Sequence, residues 1–333
     1  MQQGREATPL QSGGPCKNGI RMLNFIARRM LRAFLTLAIC VTAVFVVLRL
    51  AGDPTDMLLP DDTPPEVRAD YRERWGIDRP IAEQYARFLV AVTRGDLGVS
   101  FADGRSAVMV VAEAIPNTLL LAAAALCLAL IIGIPLGMLA ALKHNSALDR
   151  IVMSIAVLGF SIPTFFLGIL LILLFALTLR WLPSSGTDTW WHLVMPTLTL
   201  AAGLLGKIAR FTRTAMLEVL GQSFVRTARA KGVPRLPVLL RHVFPNAAVP
   251  LLMFLGIETG LLFAGAAVTE TIFAWPGVGR LLVSSAGVRD LALIQTAILF
   301  VAGVIIVSNL AVDILHALID PRVDVLGAEG RTS

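Results

Sequence analysis

A basic, polar stretch at residues 222–249 is the part of this sequence best suited to bind another macromolecule. It separates two long apolar segments and opens with a helical pattern over 223–231, in which apolar Phe224 and Val225 share the helix with cations. Gly232 follows at the position where many helices end in a left-handed residue. The residues that this element offers for binding are Arg226, Thr227, Ala228, Arg229, Ala230, Lys231 and Gly232.

The remainder of the stretch predicts a second short helix. Pro234 suits its first turn, because the N–H that proline lacks needs no partner there. We expect this helix to run to Val243 and to stop at Pro245. A helix, a glycine turn and a second helix at a membrane surface are typical of a docking element driven by another protein. A second interpretation stays open, in which Arg226 and Lys231 anchor the loop to anionic lipid.

Glu258 and Glu270 lie within one predicted membrane segment, 253–272, where a charged group costs on the order of 2.5–3.5 kcal/mol on insertion scales. Glu258 is expected to face a wet translocation path or a polar partner on another helix, and both interpretations stay open. Glu270 is expected near the outer end, as part of a gate or mouth. Thr164 follows Pro163, whose bend frees backbone carbonyls that a threonine hydroxyl satisfies. These three residues are the candidates for the translocation path.

Motifs for catalysis or for bound cofactors are absent from the sequence. Gly206 and Lys207 lack the glycine and the hydroxyl residue that a phosphate-binding loop needs around them. The four histidines are scattered, and the three cysteines have neither metal spacing nor a disulfide pattern. We therefore expect no enzyme activity, no metal and no cofactor in this chain. If ATP drives it, another chain hydrolyses the ATP.

The elements that position these residues are membrane helices. Hydrophobic residues make up 56% of the chain and charged residues 16%, compared with about 45–50% and about 25% in soluble domains. Five apolar runs reach the length of about 20 residues that spans a bilayer. A sixth, at 193–205, is shorter, and spans the bilayer if long basic side chains up to Arg213 extend to the membrane surface. The five long runs are 30–50, 118–142, 151–179, 253–272 and 291–318.

The predicted fold is an all-α membrane protein with six transmembrane helices. Basic residues concentrate in the loops that would be cytoplasmic, which places both termini and 222–249 inside and explains the net charge of +6 without nucleic-acid binding. Met22 is an alternative start, and the residues before the first apolar run are not expected to belong to a signal peptide, because no cleavage site ends that run. The expected organisation is a disordered tail at 1–21, a first span at 22–50, an external segment at 51–106, a five-span core at 107–322 and a cytoplasmic tail at 323–333.

Local signals refine this organisation. The external segment carries two helical patterns, one opening at Thr63 and closed by Gly76, the other opening at Asp78. Ser106 is expected to cap an interfacial helix that Pro116 breaks before the second span. Close helix contacts are expected at two pairs of glycines spaced four apart. These pairs are Gly133 with Gly137, and Gly256 with Gly260.

Several motifs, in order, resemble one family. Arg226-Thr227-Ala228, Gly232 and Phe244-Pro245 match the spacing of the loop that characterises permease subunits of binding-protein-dependent ABC importers. The usual opening Glu-Ala-Ala is Arg-Thr-Ala here, and His242 stands where an apolar residue is usual. Further segments resemble the dipeptide, oligopeptide and nickel permeases, and the resemblance runs from about 22 to 322. These segments are Gly52-Asp53-Pro54, Arg94-Gly95-Asp96-Leu97-Gly98, Ser161-Ile162-Pro163-Thr164-Phe165, the nine residues 269–277, and Asp320-Pro321-Arg322.

The resemblance implies a multi-pass protein of the bacterial inner membrane that forms a path for peptides or related solutes. It implies four kinds of partner: a second, homologous permease subunit, two ATP-binding subunits that use ATP and Mg²⁺, an external solute-binding protein, and membrane lipid. The helix at 222–232 is then the coupling helix. Within the family, nickel chelates and glutathione are alternative substrates. A stand-alone secondary transporter or channel using Glu258, and a membrane enzyme, are the rival classes.

Overall fold

The computed structural model describes residues 15–50, 63–75, 78–100 and 103–319, and almost all of them are helical, as predicted. Gly52-Asp53-Pro54, Gly76, Asp320-Pro321-Arg322 and the tail at 323–333 lie outside the described residues. The twelve helices within the described residues are α1 (Pro15–Leu50), α2 (Pro65–Trp75), α3 (Ile81–Arg94), α4 (Ala107–Leu142), α5 (Ala147–Ser161), α6 (Thr164–Leu171), α7 (Trp191–Leu220), α8 (Ser223–Ala230), α9 (Arg235–Val238), α10 (Phe244–Ile272), α11 (Val278–Gly287) and α12 (Leu291–Ile319).

Six membrane crossings are compatible with these helices. Five are long and apolar enough to cross alone, namely α1, α4, α7, the continuous stretch Arg235–Ile272 and α12. The sixth is a bent pair. Helix α6 continues as a π-helix over Ile172–Thr178, and α5 meets the combined segment Thr164–Thr178 at an angle of 99°. Ile162, between them, is extended (φ −77°, ψ 123°), since the residue before a proline is disfavoured in the helical region. The predicted bend at Pro163 is therefore a sharp break.

Three local predictions were wrong. Residues 15–21 of the predicted disordered tail are helical, since α1 already begins at Pro15. Pro116 does not break a helix, because α4 runs through it from Ala107. Pro245 does not stop one either: a π-helical turn at Leu239–Val243 leads directly into α10. Turns with wider hydrogen bonds accommodate the N–H groups that prolines lack, so prolines are tolerated inside membrane helices.

The centre of the bundle is α7, which packs against α4, α5 and α10. Both glycines of the α4 pair face α7: a Cβ added to Gly137 would lie 2.5 Å from the Ala209 carbonyl oxygen. On α10, a Cβ at Gly256 would lie 2.8 Å from Val312 Cγ1. The predicted close approaches are thus confirmed at Gly133, Gly137 and Gly256, whereas a Cβ at Gly260 would have only an ordinary contact, 3.4 Å from Ile305 Cγ2.

The end of the bundle away from 222–249 is closed by a turn after α3. Gly95 ends that helix with φ 73°, and Gly98 also has a positive φ of 89°. Ser100 then donates a 2.6 Å hydrogen bond to the buried Asp290 carboxylate. Gln295 of α12 donates to the Leu97 carbonyl at 2.9 Å. The predicted external turn at 94–98 is therefore a structural tie between α3 and α12.

Candidate functional site

The short basic helix α8 is held to the bundle by one side. Val225 is fully buried and belongs to an apolar cluster that also contains Met216, Val238 and Val243. Ala228 packs against the same cluster. Because the cluster draws on α7, α9 and the turn into α10, α8 is anchored to two membrane-crossing segments at once.

The other side of α8 is exposed, and it carries the predicted docking residues. Exposed side chains on it are Phe224, Arg226, Thr227, Arg229 and Ala230, and Lys231 directly after the helix is exposed too. An exposed aromatic ring among cations and small residues is suited to a complementary protein cleft rather than to solvent alone.

Gly232 ends α8 as the sequence predicted. Its φ is +75°, and its N–H bonds to the Arg229 carbonyl at 3.0 Å. The N–H of Val233 bonds to the Ala228 carbonyl at 3.3 Å. A Cβ added at Gly232 would have no atom within 4 Å. Glycine is therefore favoured here by backbone conformation and not by lack of space.

Glu258 lies midway along α10 and is 8% exposed. It forms an ion pair with Lys207 of α7, whose Nζ is 2.8 Å from Glu258 Oε2. The polar partner on another helix was one of the two interpretations left open by the sequence. Lys207 itself retains 35% side-chain exposure, so the pair sits at the edge of a surface rather than in the core.

A second ion pair was missed by the sequence prediction. Arg213 of α7 forms a bidentate contact with the buried Asp149 of α5, with Nε–Oδ1 at 2.6 Å and Nη2–Oδ2 at 2.8 Å. Ser146 accepts the N–H of Asp149 and caps α5. The pair fixes the start of α5 to α7. The two residues are 64 positions apart, so no local pattern in the sequence pairs them.

The third cation of α7 has a different partner. The guanidinium carbon of Arg210 lies 4.8 Å from the centroid of the Phe160 ring on α5. All three cations thus have partners within the bundle, and the predicted extension of the side chains from Lys207 to Arg213 to the membrane surface stays a prediction.

Glu270 is fully buried at the other end of α10. Thr118 of α4 donates to its Oε1 at 2.7 Å, and the N–H of Arg280 donates to Oε2 at 3.0 Å. The hydroxyl of Thr118 also accepts the N–H of Val278 at 2.8 Å. The carboxyl therefore organises the turn between α10 and α11, which agrees with a structural part of a mouth.

The predicted path residues do not form a single site. Glu258 and Glu270 are twelve residues apart on one helix, which separates them by about 18 Å along its axis. Thr164 is half-buried at the first position of α6, next to the break at Pro163. Among the described residues, no group of three or more histidine, cysteine or acidic side chains could hold a metal ion.

The described residues form an all-helical bundle with up to six candidate membrane crossings and a basic helix attached to its surface. Residues 133–325 match the family described as "Binding-protein-dependent transport system inner membrane component", and residues 22–122 match the corresponding N-terminal family of membrane components. The chain therefore belongs to this family of multi-pass inner-membrane proteins. It is a permease subunit of an ABC importer, and the family is one of transport permeases, not of enzymes.

Similar proteins agree with this assignment. The chain is 38% identical over 303 residues to the glutathione transport system permease protein GsiC of Salmonella paratyphi A, covering 91% of this chain and 99% of that protein. Its identity to GsiC of Escherichia coli K12 is 39% with the same coverage. Among solved structures, inward-facing forms of the MetNI methionine ABC transporter match with TM-scores of 0.53 and 0.56. Their sequences are 21% and 20% identical to this chain, and each match covers 64% of this chain and 97% of the solved chain. At this level of identity, the similarity supports the fold alone.

Proposed function

We propose that this chain, paired with a second homologous permease, forms the path of an ATP-driven importer for small peptides, with glutathione as the first candidate substrate. The observation that carries the proposal is the identity of 38–39% to glutathione permeases over 99% of their length. Glutathione is itself a tripeptide, so it falls within the peptide class that the motifs indicate. Nickel chelates are the alternative within the same family.

We propose α8 as the contact with an ATP-binding subunit. Val225 and Ala228 attach α8 to the bundle, while Arg226, Arg229 and Lys231 are exposed and can bind a partner. A two-residue link joins α8 to α7, and α9 leads into α10 through a continuous helical turn. A push on α8 is therefore transmitted to both helices that carry the Lys207–Glu258 pair.

The orientation follows from the same surface. The concentration of lysine and arginine around 222–249 favours the cytoplasmic side, where ATP and Mg²⁺ are available to the partner subunits. The opposite end, with Glu270 and the turn at 94–98, then faces the external solute-binding protein. ATP binding by the partners biases the bundle between inward-open and outward-open states.

Transport by the assembled complex tests the proposal. The chain, the second permease and both ATP-binding subunits are reconstituted in proteoliposomes, with the solute-binding protein added outside. Uptake of labelled glutathione, dialanine and a nickel–histidine chelate is measured with ATP and with a non-hydrolysable analogue inside. We expect ATP-dependent uptake of glutathione in preference to the nickel chelate.

Two outcomes would contradict parts of this proposal. Preferential uptake of the nickel chelate or of dialanine would refute glutathione as the first candidate and leave the importer mechanism intact. Uptake by this chain without ATP-binding subunits, driven by a pH gradient, would instead support a secondary transporter.

A further inference from the structure

The exposed face of α7 is polar along its second half, although it belongs to a membrane-crossing helix. Lys207, Arg210, Thr214 and Glu218 follow one another at spacings of three and four, which places them on one side of the helix. Arg210, Thr214 and Glu218 are exposed, and Lys207 is partly exposed. The helix α6 shows the contrast, since its exposed side chains, such as Phe165 and Ile169, are apolar as expected for a surface in lipid.

This polar face is flanked by two neighbouring helices. On one side, Phe160 of α5 contacts Arg210. On the other, Glu258 of α10 binds Lys207, and Phe254 of α10 stacks on Phe211 with ring centroids 4.5 Å apart. Ionisable side chains at membrane depth almost always face a water-filled cavity or the interior of an assembly. The polar face of α7 is therefore unsuited to contact with lipid.

The charges along this face are not balanced equally. Lys207 is neutralised by Glu258, and Arg213, one turn beyond Arg210, is neutralised by Asp149. Within the described part of the chain, Arg210 forms no ion pair, and its guanidinium contacts the Phe160 ring. Glu218 is eight residues further on, about 12 Å along the axis, which is too far for a direct contact.

The geometry leaves Arg210 without an ion-pair partner among the described residues and with its guanidinium over the Phe160 ring. An arginine stacked on an aromatic ring keeps the N–H groups at its edge available, and these match the two oxygens of a carboxylate. A peptide of the proposed substrate class carries at least one carboxylate at neutral pH, and glutathione carries two.

We propose that the polar face of α7 lines the transport path and that Arg210 binds a carboxylate of the substrate as it passes. Phe160 positions the guanidinium, and the Lys207–Glu258 pair keeps the neighbouring cation from competing for the substrate. This inference rests on the proposed import of small peptides, because it names the substrate group that the path recognises.

The transport test compares Arg210→Gln and Arg210→Lys with wild type in the complete reconstituted importer, at saturating solute-binding protein. Arg150→Gln is the matched control, since Arg150 is an exposed arginine on the first turn of α5, outside the polar face. We expect Arg210→Gln to lower the maximal rate of glutathione uptake about tenfold or more, the effect of one charge-assisted hydrogen bond. Arg210→Lys should retain part of the rate, and Arg150→Gln all of it.

A merely structural role is separated by changing the charge of the substrate. The ratio of variant to wild-type uptake is measured for glutathione and for its diethyl ester, so that the preference of the binding protein cancels. The ratio should be low for glutathione and near one for the ester. Equal ratios for both substrates would overturn the proposal. Loss of the second permease on co-purification of Arg210→Gln would also overturn it, by showing that Arg210 pairs with an acid of that subunit.

A second measurement needs no substrate and so stands even if the proposed substrate class is wrong. Arg210→Cys is made with Cys16, Cys40 and Cys127 replaced by serine, and the assembled complex in lipid nanodiscs is treated with a charged methanethiosulfonate. The cysteine at position 210 should react at least about tenfold faster than the cysteine of Ile169→Cys. The thiolate is the reactive form, and it forms readily in water but not in lipid. Equal rates at both positions would show that this face of α7 is not in a wet path.

If wild type imports neither glutathione nor dialanine while position 210 is water-accessible, the proposed substrate class fails. The placement of α7 on the path then survives.

Discussion

Replacing Gly232 by valine tests whether the geometry of α8 controls coupling. Gly232 has φ +75°, and an added Cβ would meet no atom within 4 Å. A clash with neighbours is therefore excluded, and the cost is that of a β-branched residue in the left-handed region, about 1–2 kcal/mol. Relief of this strain unwinds the end of α8, which shifts the equilibrium away from the docking geometry by a factor of about 5–30.

The assay follows ATP hydrolysis and uptake in the same proteoliposomes. Gly232→Val should lower the affinity of the ATP-binding subunits or the number of substrates moved per ATP, with membrane insertion unchanged. Gly232→Asn is the conservative variant, because asparagine tolerates a positive φ better than other residues. Gly287→Val is the matched control, since Gly287 also has open space around its added Cβ but lacks a positive φ. Normal coupling in Gly232→Val, together with no crosslinks from cysteines along α8 to an ATP-binding subunit, would refute the assignment of α8.

Three further predictions concern the bundle and its orientation. Glu258→Leu leaves the Lys207 cation without its partner and should destabilise the complex by about 2 kcal/mol, less than for fully buried pairs because Lys207 is partly exposed. Glu258→Gln should cost less stability, and a Lys207→Met/Glu258→Leu double variant should recover stability. The midpoint of thermal unfolding in nanodiscs is measured for all three variants. A midpoint equal to that of wild type in Glu258→Leu would contradict the stabilising role of the pair. Gly277→Ala places a methyl group on the Glu270 carboxyl and should cost about 1–3 kcal/mol in the same assay, whereas an unchanged midpoint would show that the turn adapts. A cysteine at Asp78 should be labelled only from outside the cell, and labelling only from the cytoplasm would contradict the proposed orientation.

Much of the architecture follows from local sequence signals. The lengths of the apolar runs determine the number of crossings, because a helix must span a fixed thickness of hydrocarbon. The end of α8 at Gly232 and the close contacts at Gly133 and Gly137 follow from the absence of a side chain, a property that glycine has in any context. The spacing of the motifs was specific enough to indicate the family.

Other local signals were overridden by the environment. Pro116 and Pro245 are helix breakers in water, where a free carbonyl readily binds solvent. In the bundle, the surrounding helices and a π-helical turn keep the chain helical through both residues. At Pro163, by contrast, the chain does not stay helical. Ile162 adopts an extended conformation there, so the two helices are separated by a sharp break and not by a bend.

The sequence by itself determined the class of protein, most of the helical segments, the position of the basic helix α8 and the presence of charged groups within predicted membrane segments. Only the tertiary structure decided which charges are paired. The Lys207–Glu258 pair joins residues 51 positions apart, and the Arg213–Asp149 pair joins residues 64 apart. Helix packing decides which side chains become partners. The packing cannot be predicted from side-chain type and spacing along one helix. Arg210 is distinguished from its neighbours in the same way, since only the packing of α5 and α10 against α7 shows that its charge is left free.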